Sequence, residues 1–438
     1  MLRILHLSDI HFGQEIKGER VRHNDVREQL VADLEGLLNG IKPLDLILIN
    51  GDIGYSGKKS EYDEAVAWLD QLISVGRCDV TAVLTIPGNH DIDIDLVSLA
   101  ARQVHSQLRN TQPETVKHLL HDYTIEREEV NSIFPKLRTY IDFARGYNSH
   151  FDTRDIPRWI RYHEIKPGYR LRIVGMCSVQ VSDLEDRQGT MILGDKQYIF
   201  PEDHSVVTLV MVHHPMPWFL DRVDAKTYVH DRSSILLTGH EHLPELSRIT
   251  ALNGLERIEI SAGAITDTKS DAPFEFAYNL LELDLKQDDG ILLSLTVWPR
   301  IMRANPPRFV PDTSKTGGPD SRTLSINCGV VPAPAEPSTV HAEGVSGQGV
   351  TMQRDETANF GRLKHFFWHY LTWDQRITVL VRATLLPKSV ENRLPQTIEL
   401  EALLRAKEIG KLDSVWDDTM SFVPQDKRRP NPFKREII

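Results

Sequence analysis

The chain has 438 residues, 40% of them hydrophobic and 26% charged, with a formal net charge of −11. That length suits two or three globular domains. No apolar run approaches the ~18 residues of a bilayer span, and the acid excess argues against a broad basic surface for nucleic acid. Cys78, Cys177 and Cys328 are far apart and show no CxxC spacing. They point to neither a disulfide framework nor a zinc ribbon. The opening MLRILHLSDIHFG lacks a signal-peptide layout, so a cytoplasmic protein is expected.

Residues 2–8 (LRILHLS) predict a buried strand ending at Asp9. Over 25–39, Val26, Leu30, Val31, Leu34, Leu37 and Leu38 recur along one helical stripe. A strand at 44–50 stops at Gly51-Asp52, a helix follows near 60–74, and a third strand at 80–86 runs into PGNHD. Strand, helix, strand, helix, strand at this spacing predicts a largely parallel α/β sheet. Residues 95–150 read as a helical insertion. Strands resume at 171–179, 205–212, 234–238 and 256–262, and alternation with a DDG turn over 278–298 predicts a closing hairpin.

The Pro/Gly/Ser-rich stretch 304–358 reads as a linker between a domain at 1–303 and a helical module at 359–438. Within it, SRTLSINCGVV (321–331) is a candidate short strand. In the module, Thr372 and Gln375 have capping-box spacing for a helix over 371–387, which Pro387 is expected to stop. Gly410 is the expected break in the helical run 397–420. Phe366, Phe367, Trp368 and Tyr370 are expected in this module's core.

Chemistry gathers where predicted strands end. The first ends in Asp9-Ile10-His11, the second in Gly51-Asp52 and the third in Gly88-Asn89-His90-Asp91. Later ones end in His213-His214-Pro215 and Gly239-His240-Glu241-His242. In an open α/β sheet these ends share one rim. Five segments then deliver Asp, His, Asp, Asn, His, His and His to one place. Mixed imidazole and carboxylate ligands suit Mn²⁺, Fe²⁺ or Zn²⁺ better than Ca²⁺. Seven ligands suit two ions, with the two oxygens of Asp52 free to bridge them. Two ions ~3.5–4 Å apart share a water and lower its pKa, which supplies hydroxide near neutral pH. His6, inside the first strand, reads as packed. Glu241 should point away from the histidines on either side of it. Arg22 and His23 are open to a pocket role.

The blocks SDIHFG, NGDIGYSG, PGNHD, HHP and GHEH together resemble the calcineurin-like metallophosphoesterase superfamily over about residues 1–300. The resemblance implies an α/β fold, a four-layer α/β/β/α sandwich. It also implies one ion on Asp9, His11, Asp52 and His242, and a second on Asp52, Asn89, His213 and His240. His214 then falls behind the ligands or faces the pocket. His90 becomes the general acid for the leaving oxygen, oriented by Asp91. "GDIGYSGKKSEYDEA" is similar to the cyclic-nucleotide phosphodiesterase-like branch. The C-terminal module resembles death-like or effector-associated adaptor domains, which are appended to bacterial enzymes and signalling proteins. It implies a protein partner or self-association, against the alternative of a helical cap.

The expected function is hydrolysis of a cyclic nucleotide or other small phosphodiester by a dinuclear centre, manganese first. A nuclease, a phosphoprotein phosphatase and a non-enzymatic metal-binding scaffold are the alternatives.

Overall fold

The computed structural model describes residues 1–14, 19–125, 133–147, 149–151, 156–203, 205–250, 254, 256–266, 275–288, 290–328, 348–386 and 395–434. It divides into two compact units, Met1–Ile141 with Ser149–Ser338, and Asp142–Asn148 with Thr339–Ile438.

The first unit begins β1 (Leu2–Leu7), α1 (Glu19–Leu38), β2 (Leu46–Ile49), α2 (Lys59–Gly76), β3 (Val83–Thr85). The expected insertion follows as α3 (Leu99–Arg109), α4 (Pro113–Ile125) and α5 (Arg138–Gly146), whose residues from Asp142 on belong to the second unit. Then come β4 (Arg158–Lys166), β5 (Tyr169–Met176), the single turn α6 (Asp195–Tyr198), β6 (Val206–Met211), α7 (Arg222–Arg232) and β7 (Ile235–Thr238). The unit closes with β8 (Glu245–Thr250), β9 (Glu256–Ser261), β10 (Ala277–Asp288), β11 (Gly290–Ala304), β12 (Pro307–Pro311), α8 (Thr313–Thr316) and β13 (Arg322–Asn327).

The strands form two sheets. One has the order β12-β11-β10-β1-β2-β3, with β13 also on β11; the other has the order β4-β5-β6-β7-β9-β8. Strands β1, β2 and β3 pair in parallel, as do β5, β6, β7 and β9. Alternate residues face the space between the sheets: Ile4, Leu46, Leu48 and Leu84 meet Leu171, Ile173, Val207, Leu209 and Ile235. Each such side chain contributes about 1.5–3 kcal/mol by leaving water. On the far face of the second sheet, Val174, Val210 and Leu236 cover Ala225 and Val229 of α7. Helices α1 and α2 pack together, with α1 against β12. This is the expected four-layer sandwich.

Two expectations shift. The stretch 304–358 is not linker throughout, because β12 and β13 both pair with β11. The composition misled because Pro307 and Pro311 bound a strand with a free edge, where a missing N–H is tolerated. Gly317 and Gly318 make a left-handed turn at φ 81° and 123°. The sheet therefore runs on to Asn327, past the expected boundary at 303.

A buried charged cluster joins the insertion to residues 180–186. Arg109 bonds Asp183 (2.8 Å), Asp186 (2.7 Å) and the Val181 carbonyl (2.6 Å). Lys136 Nζ donates to the carbonyls of Gln180 (2.8 Å) and Ser182 (2.6 Å). Burial pushes the Lys136 ammonium down to about 7. Its unfolded value is ~10.4. Between these two values the unfolded chain binds the extra proton, so stability rises with pH across that window. Below about 7 the cost of the buried cation is fully present. Relative to Lys136→Met, wild type should gain on the order of 2 kcal/mol between pH 6.5 and 9, read by urea unfolding of the full chain. A difference that stays flat across that range contradicts the assignment.

The second unit contains α9 (Gln348–Tyr370), α10 (Trp373–Arg382), α11 (Pro395–Glu408) and α12 (Leu412–Phe422). Its core includes Leu363, Phe367, Trp368, Leu380, Leu403, Val415 and Trp416, with Phe366 and Tyr370 against it. The capping box forms as expected, between Thr372 and Gln375, and Gly410 is left-handed at φ 69°. Helix α10 ends at Arg382 rather than at Pro387, which lies outside the described residues. The left-handed turn at Thr384 (φ 57°) stops it, closed by the Leu385 N–H on the Leu380 carbonyl at 2.9 Å. From this unit's own short segment, Phe143 offers its carbonyl to His369 Nε2 at 3.0 Å. Among the described residues no helix is long and apolar enough to cross a membrane.

Candidate metal centre

The parallel strands of both sheets direct their C-terminal ends to one place. Asp9 and His11 follow β1, Asp52 follows β2, Asn89 and His90 follow β3, His213 follows β6, and His240 and His242 follow β7. The Asn50 amide ties the sheets together there, donating to the carbonyls of Val212 (3.2 Å) and Leu237 (2.7 Å). The β1 and β2 loops are pinned by Asp9 N to Gly51 O (3.1 Å) and His11 N to Asp52 O (3.0 Å).

These loops are strained. Seven described non-glycine residues have positive φ, and five are expected ligands: Asp9 (53°), His11 (50°), Asp52 (54°), His240 (71°) and His242 (57°). Each costs on the order of 1–2 kcal/mol for an L-residue. Such strain persists where the surroundings over-determine it, as at functional sites. Glycine permits the crowding: a Cβ on Gly88 would run into the Asp52 carboxylate.

The side chains converge. Asp52 Oδ2 lies 3.1 Å from His11 Nε2 and 3.3 Å from His213 Nε2. Asp9 Oδ1 lies 3.2 Å from His242 Nε2. Asn89 Oδ1 lies 3.1 Å from His213 Nε2 and 3.0 Å from His240 Nδ1. All seven expected ligands are therefore brought together. His214 is not among the seven, yet it groups with His213 and His240, their ligand atoms all lying within 4.8 Å of one another. Its Nδ1 hydrogen-bonds the Ser178 hydroxyl at 2.8 Å and its ring lies 4.3 Å from that of His240.

Hydrogen bonding on the far side of two rings tests whether this set fits a cation. His11 Nδ1 donates to Gln14 Oε1 at 3.0 Å, and His213 Nδ1 donates to the Asn50 carbonyl at 2.7 Å. In the neutral rings both Nε2 lone pairs then aim at the same carboxylate oxygen of Asp52. Lone pair against carboxylate repels unless positive charge lies between them, so the donor set suits divalent ions. The charges agree. Burial pushes Asp9 up, but the His242 charge holds it down at about 2. Burial likewise disfavours charge on His213, yet Asp52 lifts it to about 9.

His90 is held by its backbone, whose N–H donates to Asp52 Oδ1 at 2.7 Å. Its ring Nδ1 lies 3.1 Å from the Tyr55 carbonyl, the partner that orients it. The expectation that Asp91 orients this ring is not met. Asp91 turns beneath the loop, where its carboxylate accepts the N–H groups of Ile53 (3.1 Å), Gly54 (2.8 Å) and Gly88 (2.9 Å), and the Tyr62 hydroxyl (2.9 Å). In a tight 3-10 turn neighbouring side chains diverge, and three unmatched amides attract the carboxylate more than one imidazole does. Glu61 has a similar task, accepting the N–H groups of Tyr55, Ser56 and Lys58. The SEYDEA run held the signal: Glu61 and Tyr62 both brace the loop that carries Asp52.

Glu241 points away from the ligands, as expected, and accepts the Trp218 indole N–H at 2.7 Å. His6 is fully buried in β1. His23 is buried on α1, and the Arg22 guanidinium lies 5.4 Å from the Phe276 ring. Asn50, Gln14, Ser178 and Trp218 carried no motif signal, since each acts through a contact with a segment remote in sequence or through a side-chain direction.

The chain is similar to several solved structures. Vps29 of Chaetomium thermophilum matches at 11% identity over 75% of this chain and 99% of that one, with a TM-score of 0.30. The sulfate thiohydrolase SoxB of Thermus thermophilus, in complex with glycerol, matches at 15% identity over 72% and 59%, with a TM-score of 0.32. The NAD nucleotidase of Haemophilus influenzae matches at 13% identity over 70% and 53%, with a TM-score of 0.34. No curated protein matches the chain. Residues 359–421 match the profile of the GTPase-associated adaptor domain. The calcineurin-like phosphoesterase profile matches residues 2–244, more than half of the chain and every strand end just described. The chain therefore belongs to the calcineurin-like phosphoesterases, a family of metal-dependent hydrolases.

Proposed function

We propose that the protein hydrolyses a small phosphodiester, a cyclic nucleotide or related ester, with two divalent ions, manganese first, held at the rim. The observation that carries this reading is the position of Asp52 Oδ2, between His11 Nε2 at 3.1 Å and His213 Nε2 at 3.3 Å. Asp52 would be shared by the two ligand sets. Asp9, His11 and His242 complete one ligand set; Asn89, His213 and His240 complete the other. When bound, the ions lower the pKa of water and neutralise charge growing on the phosphoryl group.

His90 acts as the general acid. With Nδ1 facing the Tyr55 carbonyl, an imidazolium presents its second proton from Nε2 to the leaving oxygen. The brace provided by Glu61 and Tyr62 supports the phosphodiesterase-like branch, whose EY-containing helix it matches. The match of residues 359–421 to an adaptor domain supports a role for the second unit in recruiting a protein partner or a second copy.

Purified protein is tested with Mn²⁺ on bis-p-nitrophenyl phosphate, cyclic mononucleotides, single- and double-stranded nucleic acid, and phosphopeptides. The reading predicts turnover of the small diesters. Faster turnover of phosphopeptides or long nucleic acid, or no diester hydrolysis with any divalent ion, rejects it.

A further inference from the structure

We propose that Tyr55 and Trp218 form an aromatic slot across the metal rim that selects phosphodiesters bearing a planar aromatic group, specifically a nucleobase. This rests on the phosphodiesterase reading above.

The two rings border different ends of the histidine array. Tyr55 is half-buried and stacks on His90, with centroids 4.9 Å apart and planes 15° apart; it lies 5.9 Å from His11. Trp218 is half-buried and meets His240 edge-on at 4.2 Å, with His214 at 5.4 Å. Tyr55 thus lies one imidazole outward from the ligand cluster, and Trp218 lies directly against the ligand His240. A phosphoryl group seated on that cluster has an aromatic ring at either end of the histidine array to meet its substituents.

Both are preorganised. The Tyr55 N–H donates to the Phe12 carbonyl at 3.0 Å and to Glu61 Oε2 at 3.2 Å. Trp218 ends a 3-10 turn, Met216–Trp218, stiffened by Pro215 and Pro217. The Trp218 carbonyl accepts the N–H groups of Gly189 and Met191, both at 3.0 Å, and its indole is fixed by Glu241 at 2.7 Å. Glu241, the residue between the two ligand histidines, is thereby a positioning residue for the slot. Rings held in advance lose little entropy on stacking, and stacking on an aromatic tolerates any base because every base has a π-face.

The test compares thymidine 5′-p-nitrophenyl phosphate with methyl p-nitrophenyl phosphate. Both release p-nitrophenolate, so the ratio of their kcat/KM reads only the retained substituent. Wild type should favour the thymidine ester about ten- to hundredfold. Trp218→Ala and Tyr55→Ala should each lower that ratio about tenfold, mainly through the KM of the thymidine ester. Glu241→Ala should lower it as well, whereas Glu241→Gln, which keeps an oxygen for the indole N–H, should preserve it. Circular dichroism and bound metal are measured on each variant. A wild-type ratio near one, or a ratio that well-folded, metal-loaded variants leave unmoved, overturns the slot while the phosphodiesterase reading stands. If wild type cleaves neither ester with any divalent ion, the phosphodiesterase reading falls and the slot falls with it.

Discussion

Asp52→Asn should lower phosphodiester turnover about 10³-fold at saturating Mn²⁺ while the protein stays folded. The size follows from how much one carboxylate does here. Oδ2 faces His11 and His213, and Oδ1 accepts the His90 N–H at 2.7 Å. Asparagine keeps the shape but has one oxygen and no charge. Its amide N–H would face either two imidazole nitrogens or the His90 N–H. The same variant should bind metal about 10–100-fold more weakly, as read by metal content after dialysis. Asp52 is fully buried, and His213 and His90 hold its pKa well below normal against the pull of burial, so its charge contributes net stability in the absence of metal. Thermal stability of the metal-free variant should therefore fall below that of the metal-free wild type. A variant within tenfold of wild type would remove Asp52 from the centre of the mechanism.

His90→Ala should be harmful in proportion to how badly the leaving group needs a proton. Loss of a general acid costs about 10²–10⁴-fold when the departing alkoxide is basic. p-Nitrophenolate is a stable anion and leaves unaided, so the loss with bis-p-nitrophenyl phosphate should be far smaller. kcat is measured for both ester types in wild type and variant. A loss of equal size on both contradicts the acid role and favours a purely positional one. The geometry makes this separable, because His90 reaches Asp52 through its backbone N–H, which alanine retains.

Much of the active rim was legible in sequence, and for a definite reason. A strand in a parallel sheet ends at the same rim as its neighbours, so apolar runs ending in DIH, GD, GNHD, HH and GHEH place their polar residues together without any knowledge of loops. The four-layer sandwich was implied by the resemblance of the motif blocks; the runs themselves predict one largely parallel α/β sheet with a closing hairpin. The exposed pattern of β8 and the polar helix α7 carried too weak a periodicity to be read. Composition misled at 304–328, where Pro and Gly serve turns in a sheet rather than a linker.

The amino-acid sequence by itself determined which residues meet at the rim, because residue type and the end of an apolar run are local properties. Only the tertiary structure decided what each one does there. Asp91 serves amides of the GD loop rather than the neighbouring His90 ring. Glu61 and Tyr62 brace that loop from α2, Asn50 joins the two sheets, and Glu241 fixes Trp218 beside His240. These roles depend on side-chain directions and on contacts between segments far apart in the chain. Positive φ at five ligands turned those side chains inward, a choice no local preference would make. It is held in place by the carboxylates, amides and imidazoles that converge around it.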